Sequence, residues 1–130
     1  MQRRNNMWYL TIIFLVIAAI CKAVKDTLEF HFDYSIFSKF NAKYWNPSIS
    51  WKNKYKEDLK TPKFWGSTTV FVMFTDAWHL FDFLQTLTML LAIVLYGTMI
   101  YWAVDLIIFY TIFCCIFELF YSVVFKMIRE

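Results

Sequence analysis

The chain has 130 residues, 60% of them hydrophobic and 22% aromatic, and only 18% charged, against about 45–50% apolar and about 25% charged in an ordinary soluble domain. Two Gly and two Pro exclude a collagen-like or linker-rich chain, and three Cys cannot build an even disulfide framework. What remains is one all-α integral membrane domain over 1–130. The net charge is +3, yet residues 64–125 contain no Lys or Arg. Lysines dispersed among Trp and Tyr read as membrane-interface anchors, so lipids are the expected partners and nucleic acid is not.

The first element is an apolar helix over residues 7–24, preceded by Arg3 and Arg4. Ile20 before Cys21 is wrong for either kind of signal cleavage, so the helix is expected to be retained. Residues 25–65 form an interfacial loop rich in aromatics and Lys and broken by Pro47 and Pro62. A long second helix is expected over residues 66–97, tilted, projecting or broken near Gln85 to Thr88, with Gly97 at its end. The last helix covers residues 101–126. This gives three spans, with four as the alternative count. Arg3 and Arg4 pull the N-terminus toward the cytoplasm, but the lysines of the loop outvote them, and three spans would put the C-terminus on the loop's side.

On a helix through residues 66–97, Asp76, His79, Asp82, Thr68, Thr69, Thr75 and Thr86 share an arc of about 140°. Such an arc must face protein, water or ligand. Asp76 and His79, three residues apart, could share a divalent metal ion or form an acid–base pair. The plainer reading has both bonded to neighbouring spans, and a proton pathway is a third. Glu118 lies in the last apolar run and needs a partner, for which His79 or Asp76 would serve, or else it is neutral and bonded to a backbone carbonyl. Thr111, Cys114, Cys115 and Ser122 lie within about 60° of it. Asp105 reads as a boundary residue.

Between Asp26 and Asp33 a helix would put Asp26, Glu29 and Asp33 on one face with His31 pointing away. An extended chain would group Glu29, His31 and Asp33 instead. Either way Glu29 and His31 are further metal candidates beside Asp76 and His79. Lys52, Lys54 and Lys56 suit anionic lipid headgroups, on a strand face or in an aromatic–cation ladder. The three Cys read as reduced, buried, small apolar residues.

Several words of the sequence are distinctive: Asp26-Thr27-Leu28 with His31 and Ser35-Ile36-Phe37, Trp45-Asn46-Pro47, Ser50-Trp51-Lys52-Asn53-Lys54-Tyr55, Phe64-Trp65-Gly66-Ser67-Thr68-Thr69, and Thr75-Asp76-Ala77-Trp78-His79. Together, over about residues 26–79, they resemble a family of small uncharacterised bacterial membrane proteins. The resemblance implies a bacterial inner-membrane location and transfers no catalytic residue. The sequence favours a non-catalytic structural or assembly component, alone as a homo-oligomer or with a membrane partner protein. The alternative is a membrane-embedded, metal-dependent enzyme acting on a lipid or lipid-linked substrate through Asp76, His79 and Glu118. An ion pathway through Asp105 and Glu118 would need an oligomer.

Overall fold

The computed structural model describes residues 7–126, so Arg3, Arg4 and Arg129 lie outside the described residues. Three helices are long and apolar enough to cross a membrane: α1, Trp8–His31; α2, Ala77–Val94; and α3, Trp102–Glu118, continued by a wider π turn over Leu119–Val124. At 18 residues, α2 measures about 27 Å, close to a hydrocarbon core of about 30 Å. Among the described residues no fourth span occurs.

α1 is the hub. Its small and slim residues, among them Ala18, Ala19, Ala23 and Val24, are buried and let the other two helices approach closely. α2 and α3 each pack on α1 and scarcely touch one another. Much of the outer surface of α2 and α3 is exposed Leu, Ile, Val and Phe, as lipid-facing helices require.

Two expected boundaries need correction. α1 runs on to His31 instead of stopping near residue 24. Hydropathy falls at Lys22, but the helix continues because Lys22 pairs with Asp26 one turn on while Val24, Thr27 and Leu28 remain buried. The interfacial loop therefore begins after His31. The expected helix over residues 66–97 is also wrong at its start. Residues 64–75 form tight turns, and α2 begins only at Ala77. Gly66 sits at φ +77°, and the following Ser67-Thr68-Thr69-Val70 run is poor in helix formers. α2 is unbroken at Gln85 to Thr88 and ends at Val94.

The connector between α1 and α2 packs as a platform against one end of the bundle. Phe37 is its centre, stacked on Trp45 at 5.3 Å and tilted against Phe125 at 5.0 Å. Trp45 reaches Phe81 of α2, and Ile36 N–H donates to the Phe125 carbonyl at 3.0 Å. The end of α1, the start of α2, the platform and Lys126 thus lie together. That end carries all ten lysines of the chain. At the opposite end, Thr11 Oγ1 donates to the Leu95 carbonyl of the short, lysine-free connector to α3.

Candidate functional site

At the lysine end, α2 starts on a built cap. Asp76 is 2% exposed with extended backbone, and its Oδ1 accepts from His79 N–H at 2.8 Å, satisfying one of the orphan donors of the first turn. The same carboxylate faces the His79 ring, with Nδ1 2.9 and 3.0 Å from its two oxygens. This places the Nδ1 proton against Asp76 and leaves Nε2 as the outward nitrogen. The ring lies edge-on to Trp78 at 5.0 Å. Burial pushes the Tyr44 phenol above its ordinary pKa, and the nearby Asp76 carboxylate pushes it the same way.

The seven-group arc of the sequence does not form. Thr68, Thr69 and Thr75 precede the helix, so only His79, Asp82 and Thr86 of those residues are carried by α2, with Asp76 at its cap. Asp82 instead accepts from Lys25 Nζ of α1 at 2.8 Å, and Lys25 also lies over the Trp78 ring at 5.5 Å. Glu29 accepts from Trp78 Nε1 at 3.2 Å. Three α1–α2 contacts therefore concentrate within two turns of the α2 start, beside the buried cluster of Val24, Leu28, Phe37 and Ala77.

The expected metal set is not assembled. Glu29 is taken to Trp78, while His31 packs against Tyr121 of α3 with ring centroids 5.5 Å apart. Asp33 follows a break after His31, so it does not continue the α1 face. Among the described residues no three His, Cys, Asp or Glu side chains gather to hold a metal ion.

Glu118 does not meet Asp76 or His79 in any hydrogen bond or ion pair. It is exposed on α3 and accepts from Ser122 Oγ one turn on. Of the cysteines, Cys21 is buried as expected, but Cys115 is exposed and Cys114 partly so, and all three are free. Asp105 is a boundary residue of an exacting kind. Wholly buried in the first turn of α3, it accepts from Tyr96 Oη at 2.8 Å and from the N–H groups of Met99 and Ile100, each at 2.9 Å. One carboxylate thus shapes the α2–α3 connector. Burial and the bond to Asp105 push the Tyr96 phenol up.

Between α1, α2 and α3, toward that connector, lies an apolar cleft of about 590 Å³ bounded by Leu15, Met89, Ile93, Leu106, Phe109 and Phe113. A second, polar groove of about 650 Å³ opens on the platform, lined by Lys43, Tyr55, Lys56, Glu57, Asp58 and Lys63. The structure therefore divides the three expected headgroup lysines. Lys52 and Lys54 belong to a tight turn, Trp51–Lys54, not to a strand, and lie over the rings of their neighbours Trp51 and Tyr55 at 5.7 and 5.5 Å. Lys56 joins Lys43 and Lys63 across the groove. Sequence reasoning missed those two, since only the folded connector brings them together.

No family model, curated protein or solved structure matches the chain.

Proposed function

We propose that the protein is a non-catalytic structural or assembly component of the bacterial inner membrane, oriented with its lysine end in the cytoplasm and associating with a second copy through α3. The orientation follows from the ten lysines at one end of the bundle and the cytoplasmic preference of basic residues near span ends. The location follows from the sequence words quoted above.

The observation that carries the assembly reading is Glu118. It lies about 10 Å inside the end of the apolar segment, on an exposed face, with a hydrogen bond only from its own helix. A carboxyl facing lipid costs up to roughly 2.5–3.5 kcal/mol at the bilayer centre and less toward the interface. Thr111, Cys115, Glu118 and Ser122 recur at spacings of four, three and four along α3, the pattern of one helix face. A second α3 against that face would cover Glu118 and pair small or polar residues across the contact, as membrane helices do.

Cys115 supplies the test. In native membranes, copper–phenanthroline, an oxidant that enters the bilayer, should link two chains by a Cys115–Cys115 disulfide; Cys115→Ser should abolish the product and Cys114→Ser should retain it. A chain that stays monomeric under those conditions, or a Cys115-linked adduct with a different protein, overturns self-association.

A second reading is favoured by one specific geometry. A carboxylate held on Nδ1 of His79 leaves Nε2 as a base at the membrane surface, the arrangement used in acid–base catalysis. That reading makes the protein an enzyme acting on a lipid or lipid-linked substrate, with Asp76 orienting His79.

A further inference from the structure

The connector carries an uneven charge that its own folding leaves unneutralised. Between residues 34 and 75 there are seven lysines against two acids, Glu57 and Asp58, a net charge of +5. Asp58 feels the charge of Lys56 but forms no salt bridge with it. Its carboxylate is occupied by Lys60 N–H and Thr61 N–H, each at 2.9 Å, and by Thr61 Oγ1. These bonds, with a smaller pull from the Lys56 charge, hold its pKa down at about 2. Among the described residues, the ion pairs of the chain involve Lys22 and Lys25 but none of the connector lysines. Among the described residues, Lys43, Lys56 and Lys63 line one open groove and form no salt bridge, although the Asp58 carboxylate lies near enough to Lys56 to feel its charge.

Two side chains fix the depth of this groove. Asn53 Nδ2 donates to the Lys43 carbonyl at 2.7 Å and to the Thr75 carbonyl at 3.0 Å. The backbone of Lys43 is therefore held within one side chain of the residue preceding the α2 cap, where that helix enters the membrane. Ser67 Oγ donates to the Lys54 carbonyl at 2.7 Å, and Lys63 N–H donates to the same carbonyl at 2.9 Å. The far wall of the groove thus runs directly into residues 64–74.

That segment carries exposed apolar side chains on tight turns and one short 3-10 turn, Val72–Phe74. Trp65 is 83% exposed, Val70 67% and Phe74 64%. Its turns close on themselves: Ser67 N–H bonds the Phe64 carbonyl at 3.0 Å, Thr69 and Phe71 N–H share the Gly66 carbonyl at 3.0 and 2.9 Å, and Phe74 N–H bonds the Phe71 carbonyl at 3.1 Å. A water-facing loop would have no need to expose Trp, Val and Phe together. A loop lying at the acyl–headgroup boundary needs both the apolar side chains and a backbone that finds its own partners.

We propose that Lys43, Lys56 and Lys63 bind the phosphate of an anionic phospholipid whose acyl chains lie beside Phe64 and Trp65. The lysines supply charge to the phosphate, and the apolar segment sets them at headgroup depth. Glu57 and Asp58 also line the groove, leaving three lysines against two acids, which suits one anion and disfavours a second. The site rests on the placement of the lysine end among headgroups and is independent of association through α3.

The test is native mass spectrometry of the full chain in mild detergent, titrated with phosphatidylglycerol or phosphatidylcholine. The wild type should retain phosphatidylglycerol in preference to phosphatidylcholine. Replacing Lys43, Lys56 and Lys63 together by Gln should weaken phosphatidylglycerol binding about tenfold or more. Replacing Lys39, Lys52 and Lys60 by Gln, which removes the same charge elsewhere on the connector, should leave it essentially unchanged. Trp65→Ser should weaken lipid binding while the chain stays folded by circular dichroism. Equal loss in the two triple variants, or equal retention of the two lipids, overturns the site. Displacement of the lipid by millimolar inorganic phosphate overturns the lipid assignment in favour of a soluble phosphoryl ligand. Loss of Cys115 cross-linking with this selectivity intact would refute self-association and leave the lipid site standing.

Discussion

Replacing Asp76 separates what it does for the fold from what it does for His79. Asp76→Ala removes an N-cap acceptor at 2.8 Å from His79 N–H and a ring contact at 2.9 Å, both at a position 2% exposed. Loss of a cap of this type costs about 1 kcal/mol, and loss of a buried hydrogen bond adds about 0.5–1.5 kcal/mol. Asp76→Ala should therefore lose about 2 kcal/mol. Asp76→Asn keeps an oxygen at the cap and should lose less than about 1 kcal/mol, because Asn caps about as well as Asp. Reversible unfolding in mixed detergent micelles, followed by circular dichroism, measures both. An Ala variant within about 0.5 kcal/mol of wild type would mean that the cap does not set the start of α2. An Asn variant as damaged as Ala would mean that the charge outweighs the cap. The pair also bears on the enzyme reading: a lipid-modifying activity lost in Asp76→Asn while stability is kept would favour catalysis over a purely structural role.

Lys25→Met and Asp82→Asn, singly and together, should show a coupling of about 0.5–1 kcal/mol in the same unfolding assay, small because Asp82 is 45% exposed and membrane polar contacts are modest. A coupling near zero would leave the packing of α1 on α2 as the sole tie at that level. Gly66→Ala should destabilise by about 1–2 kcal/mol from its left-handed backbone alone. The added methyl would lie 2.8 Å from Phe71 Cδ2, forcing the ring to shift. An unchanged melting temperature would show that this turn is not held in the conformation described.

The membrane class and the three spans were legible because hydropathy reports burial in lipid directly. Helix ends were less so, for two opposite reasons. α1 outlasts its apolar run because the pairing of Lys22 with Asp26 and the buried Leu28 sustain helix beyond the membrane. α2 starts eleven residues later than the expected residue 66 because apolar is not the same as helical. The run Ser67-Thr68-Thr69-Val70, then Asp76 before Ala77-Trp78, held the signals of a non-helical segment and a cap. Hydropathy drowned them out. The Asp76–His79 pair could be read because it is local. Lys25 with Asp82, and Lys43 with Lys63, are separated by long stretches of chain, and no spacing rule joins them before the connector folds.

The arrangement of α1 at the centre bears on biogenesis. Because α2 and α3 each rest on α1 and scarcely on each other, the earliest made of these three helices is the scaffold on which the other two dock. The platform also lies between α1 and α2 in the chain, so its aromatic core around Phe37 and Trp45 can gather while α2 is still being made. It is completed only when Phe125 arrives with the last turns of α3. The packing of these three helices is thus closed by Phe125. A chain truncated before residue 125 would keep its three helices but lack the ring that completes the aromatic core of the platform.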